Sequence, residues 1–72
     1  MKLLKFSYED PDGSTVTAVV PYARIDAVEL RTLHDDSEVV VIHSTGQSFE
    51  YDPVGNPTFA EVIATLQTES SS

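Results

Sequence analysis

Few residues here have types that could do chemistry. Two histidines, His34 and His43, stand among twelve Asp and Glu, and cysteine is absent. Without cysteine there is no thiolate nucleophile, no CxxC redox pair, no disulfide and no thiolate metal site. Serine is plentiful, but no G-x-S-x-G elbow sets one on a strand-to-helix turn. His34-Asp35-Asp36 offers an imidazole and two carboxylates, the ligand types of a hard or borderline cation. Three adjacent turn residues rarely converge on one ion, and Asp suits the turn backbone on its own account. Asp10-Pro11-Asp12-Gly13 begins like a calcium loop but lacks the third spaced ligand and the distal Glu. His43 ends an apolar run. It is either a pH-sensitive group or ligand, or a strand-end histidine bonded to a neighbour such as Glu50. Tyr8, Tyr22 and Tyr51 read as core and rim, since stacking on bases would want interleaved Lys or Arg. No catalytic residue, metal or cofactor is expected, and the chain is not expected to be an enzyme.

Charge narrows the partners. Four cations against twelve acids leave a net charge of −8. Lys2, Lys5, Arg24 and Arg31 all precede Thr32, while acids continue through Asp35, Asp36, Glu38, Glu50 and Asp52. Such a field repels nucleic-acid phosphates and anionic membrane surfaces. No apolar run reaches the ~18 residues of a membrane span. Met1 to Tyr8 lacks the continuous apolar stretch of a signal peptide. The expected compartment is the cytoplasm.

The elements that would carry these residues are mostly strands. Lys2 to Tyr8 alternates Leu4, Phe6 and Tyr8 against Leu3, Lys5 and Ser7. Glu9-Asp10-Pro11-Asp12-Gly13 is a hairpin turn. Ser14 to Val20 follows as a second strand, which Pro21 ends because it cannot donate to a ladder. Pro21-Tyr22-Ala23-Arg24 makes a corner, and Ile25 plugs the core from it. Ala27 to Leu33 forms a third strand with Val28 and Leu30 inward. Glu38 to His43 forms a fourth, whose β-branched run predicts cover on both faces. Thr45-Gly46 predicts a two-residue hairpin into Gln47 to Asp52. Ser44 would then pair with Gln47, Ile42 with Phe49 and Val40 with Tyr51. Phe59, Val62, Ile63 and Leu66 mark one stripe of a short helix. Two starts compete: Asn56 as cap with Pro57 first in the helix, or Thr58-Phe59-Ala60-Glu61 as a capping box.

The expected fold is mainly β within the α+β class. It is a five-stranded antiparallel meander, able to curl into a partial barrel, with one C-terminal helix on one face. It forms a single domain over residues 1–68, with a disordered tail over 69–72. In element order it resembles the pleckstrin-homology-like superfold, a curved sheet closed by a helix. It also resembles the FlbD type of small bacterial flagellar protein, through Ile25-Asp26-Ala27-Val28-Glu29, Val39 to Ile42, Thr45-Gly46 and Glu61-Val62-Ile63. Neither resemblance carries a functional residue.

A core this small is marginal alone, and the helix covers only one face of the sheet. The opposite face would present Leu3, Val19, Val39, Val41 and His43. The expected function is therefore a small acidic non-catalytic interaction or assembly module, with a protein partner or a second copy as homodimer. The alternative is an acidic inhibitor that mimics nucleic-acid phosphates and occupies a basic groove. Its acidic surface would be Asp35, Asp36, Glu38, Glu50 and Asp52.

Overall fold

A computed structural model describes residues 2–70. The strands are β1 (Leu3–Glu9), β2 (Thr15–Pro21), β3 (Ile25–Thr32), β4 (Glu38–Ser44) and β5 (Gln47–Tyr51), followed by helix α1 (Phe59–Ser70). The meander is broken into two antiparallel sheets, β1-β2 and β3-β4-β5, which do not close into a barrel. The break falls where Pro21 ends β2 and Tyr22–Arg24 form one 3₁₀ turn.

Turn chemistry sets the registers. In the first hairpin the Asp10 N–H donates to Ser14 O at 2.8 Å and the Gly13 N–H to Asp10 O at 2.9 Å. Gly13 takes the φ of 88° that this corner requires. Thr45 and Gly46 have φ of 48° and 82°, the signature of a type I′ turn. That turn delivers the expected pairs Ser44–Gln47, Ile42–Phe49 and Val40–Tyr51. β3 carries a bulge between Ile25 and Ala27. It leaves Asp26 free to accept the Thr45 N–H at 3.1 Å, tying the corner to the β4–β5 turn.

The core lies between the sheets. Leu4, Phe6, Val20 and Tyr22 meet Val40, Ile42 and Tyr51, with Val62 from α1 fully buried among them. The Phe6 ring stacks on Tyr51 at 4.7 Å and meets Phe49 edge-on at 5.8 Å. Burial pushes the Tyr51 phenol up to about 12, and its hydroxyl donates to Pro57 O at 2.8 Å. Thr58 caps α1, accepting the Glu61 N–H on Oγ1 at 3.2 Å. Val62 rather than Ile63 is the centre of the helical stripe, since Ile63 is only half-buried. No Gly or Pro follows Leu66, so the helix runs through Ser70, past the expected start of the tail. The rest of that tail, residues 71 and 72, lies outside the described residues.

Asn56, the competing cap, does something else. Its Oδ1 accepts the Ser7 N–H at 2.9 Å. Its Nδ2 donates to Ser7 O at 3.2 Å and to Asp52 O at 2.8 Å. One amide thus occupies the open edge of β1 as a neighbouring strand would, and links it to the end of β5.

Candidate functional site

β4 is buried on both faces, as its β-branched run predicts. Val40 and Ile42 face the core, and Val41, on the opposite face, is only 2% exposed. A polar layer surrounds Val41. Its ladder partners are Glu29 on β3 and Glu50 on β5. His43, two residues along, sits opposite Ser48. Its Nδ1 lies 2.9 Å from Ser48 Oγ and its Nε2 lies 3.0 Å from Glu29 Oε1. Arg31 Nε donates to Glu29 Oε2 at 3.4 Å. The hydrogen bond from His43, with Arg31 behind it, holds the Glu29 carboxyl below its usual value.

Ser48, His43 and Glu29 therefore share the connectivity of a nucleophile, base and orienting acid. The surroundings supply little else for catalysis. All three lie on the open face of a sheet. None of the three lines the larger clefts of the molecule. The relay ties side chains of all three strands together on the face that carries Val41. The partner expected for His43 was Glu50, which instead lies one row away, opposite Val41.

The five residues expected on one interaction face do not form one patch. Val39, Val41 and His43 belong to the outer face of the three-stranded sheet, with Val41 covered and the other two half-buried. Leu3 and Val19 lie on the outer face of the hairpin, 53% and 51% exposed, flanking Pro21 and Lys5.

The acidic residues also divide. Asp35 accepts both the Ser37 N–H and the Ser37 hydroxyl, at 3.1 and 2.6 Å. Asp52 accepts the Val54 N–H at 2.8 Å, and Asp12 the Ser14 N–H at 2.9 Å. Each is a carboxylate bonded two residues ahead, the turn-building habit of Asp. The bonds from Ser14 and Ser37 hold Asp12 and Asp35 below the usual carboxylate range. Asp36 takes φ of 67° in the same turn as Asp35. Glu50 and Asp52 join Glu9 beside a cleft of about 610 Å³ at the β1–β5 seam, which Tyr8, Val39 and Asn56 also line. Among the described residues no group of three His, Asp or Glu is placed to hold a metal ion.

One further feature is backbone rather than side chain. Among the described residues β2 pairs with β1 alone. The bonds Asp10 N–H to Ser14 O and Tyr22 N–H to Lys2 O mark the even-numbered residues of β2 as those turned toward β1. Thr15, Thr17 and Val19 consequently direct their N–H and C=O groups to the free edge. The same alternation turns Ser7 of β1 outward, which is where Asn56 meets it.

No protein-family model, curated protein or solved structure matches this chain. Among the described residues no helix is long and apolar enough to cross a membrane. Reasoning from sequence missed Glu29, Ser48 and Asn56. The hairpin register already set His43 opposite Ser48. Glu29 was out of reach, because the bulge that fixes the β3–β4 register has no sequence signature.

Proposed function

We propose that this chain is a small, non-catalytic protein-interaction module that binds its partner by strand addition along β2. The observation that carries this is an unpaired edge with no charge. From Gly13 to Ala23 the sequence contains no Asp, Glu, Lys or Arg. Proteins usually protect such edges with charges, bulges or prolines. β3, at the end of the other sheet, has all but the proline: Asp26, Glu29, Arg31 and the Ile25/Ala27 bulge, with α1 packed against it. β2 has only Pro21, at its last position. Its exposed Thr15, Thr17 and Val19 offer N–H and C=O groups to an incoming strand, the mode by which extended segments add to sheet edges.

The net charge of −8 argues against nucleic acid and anionic membranes as direct partners. The absence of cysteine fits work in a reducing cytoplasm. The phosphate-mimic alternative has less support. Asp12, Asp35 and Asp52 lie in three separate turns and spend a carboxylate oxygen on their own backbone.

The test is a photo-reactive amino acid at position 17, in cells that naturally make the protein. A discrete crosslinked adduct is expected from position 17 and not from position 64, on the exposed face of α1. No adduct from position 17 refutes strand addition.

A further inference from the structure

Strand addition leaves open what occupies the edge. We infer that the occupant is a second copy of this chain, with β2 against β2, antiparallel about a two-fold axis at Thr17. This rests on the strand-addition reading and goes beyond it in naming the partner and the register.

Charge at the two ends of β2 is the first argument. At the Thr15 end lies the hairpin turn with Glu9, Asp10 and Asp12. At the Pro21 end lie three of the four cations. Lys5 is paired with Val19, Lys2 is bonded through its carbonyl to Tyr22, and Arg24 lies in the 3₁₀ turn. An antiparallel pair brings the acidic end of each copy to the basic end of the other. A parallel pair would set like charge beside like. With Thr17 on the axis Asp10, bonded to Ser14, lies level with Val20 of the other copy, just short of the corner that holds its Arg24.

Hydrogen bonding is the second argument. In this register Thr15 of each copy faces Val19 of the other, and the two Thr17 residues face one another. All are outward-directed positions, so the pair exchanges about six backbone hydrogen bonds. Pro21, which has no N–H to give, falls just beyond the last bonded pair. The turn of the incoming copy would come to rest at the cleft between Pro21, Arg24 and the Thr45–Gln47 segment.

Closure is the third. The contact is isologous, so two copies satisfy one another and growth stops. The far edge of each β1 is already occupied at Ser7 by Asn56. The product is a four-stranded sheet across the dimer, not a fibre. Leu3 and Val19 of both copies then lie on one continuous outer surface of that sheet.

An edge-to-edge contact buries less than a standard interface, so the dissociation constant should lie between about 10⁻⁵ and 10⁻³ M. The experiment is sedimentation equilibrium of the full chain across that range, with circular dichroism as the check on folding. The wild type should move from 7.9 kDa toward twice that mass. Thr17→Pro, whose lost N–H points away from β1, should remain folded and monomeric. Arg24→Glu should weaken association about tenfold, and Arg24→Glu with Asp10→Arg should restore it. The charge pair keeps the test decisive should Thr17→Pro misfold. A wild type monomeric at about 1 mM overturns the inference. So does a dimer indifferent to Thr17→Pro and to the charge swap. The crosslink at position 17 separates the two readings: an adduct of another mass sinks only the second copy, and no adduct sinks strand addition itself.

Discussion

Asn56→Ala is the most informative single substitution. The side chain makes three hydrogen bonds, two with Ser7 and one to Asp52 O, between 2.8 and 3.2 Å. Alanine removes the acceptor of one backbone N–H and the donor for two carbonyls, at a half-buried position. Each such bond contributes about 1 kcal/mol net, with a larger cost where the orphaned group stays out of water. Partial solvent access to the seam limits that extra cost, so the expected loss is about 2–3 kcal/mol. For a chain of this size the melting temperature should fall by roughly 10–20 °C. Asn56→Asp should lose as much, because it keeps the acceptor for Ser7 but turns a carboxylate toward two carbonyl oxygens. Thermal melts by circular dichroism measure the loss. Amide exchange locates it: the Ser7 N–H should be protected in the wild type and open in both variants. A shift under about 3 °C with Ser7 still protected would show that Asn56 does not join β1 to β5. Helix fraying as the main effect of Asn56→Ala would instead return Asn56 to the role of cap and displace Thr58.

Four other outcomes follow from the same geometry. Val62→Asp should cost more than about 4 kcal/mol, while Glu61→Gln, one residue away and exposed, should stay within about 0.5 kcal/mol; equal melts would overturn the placement of the helical stripe. Asp12, Glu29 and Asp35 are held below their ordinary values of 3.8, 4.5 and 3.8, so the folded chain gives up these protons more readily than the unfolded one. Their contribution is complete above those ordinary values and is lost as pH falls through the lower folded ones, so the urea midpoint should drop between about pH 5 and about pH 2; a flat midpoint refutes the assignment. Asp35→Asn with Asp52→Asn keeps an acceptor oxygen at each turn and leaves the β1–β2 hairpin untouched, so the double variant should stay folded at neutral pH and keep its crosslink at position 17; loss of that crosslink would favour the phosphate mimic. Random duplex DNA at moderate salt should show no gel shift at about micromolar protein, and a shift would overturn the reading of the acidic field.

The elements were legible because each rests on local chemistry. Asp-Pro-Asp-Gly, Thr45-Gly46, the β-branched run of β4 and the i, i+3, i+7 spacing of α1 need no distant information. The β4–β5 register followed from a two-residue turn. What could not be read depends on one residue of slippage or on distant partners. The bulge beside Asp26 sets whether Glu29 reaches His43, and sequence alone permits either outcome. Asn56 and Ser7 are 49 positions apart. Asn before Pro looks like a helix start because local rules have no term for a side chain that stands in for a strand. The expectation of a bare apolar face failed at Val41 for a similar reason. Glu29 and Glu50 are polar by type, yet in adjacent strands they flank a valine that is nevertheless buried.

The covered Val41 moves the problem of self-association from a face to an edge. A surplus apolar face would draw partners through buried area, with little control of direction. Here the three-stranded sheet buries Val41 on its second face, and Asp12, Asp35 and Asp52 are engaged with their own backbone. The uncharged tract that remains is backbone-rich and side-chain-poor, with threonine at two of its three outward-directed N–H positions. An edge of that kind gains little from hydrophobic contact and most from ladder hydrogen bonds, which are directional and register-dependent. The acidic turn at one end and the cations at the other then bias the antiparallel arrangement over the parallel one. Association through β2 should accordingly be weak, orientation-specific and reversible.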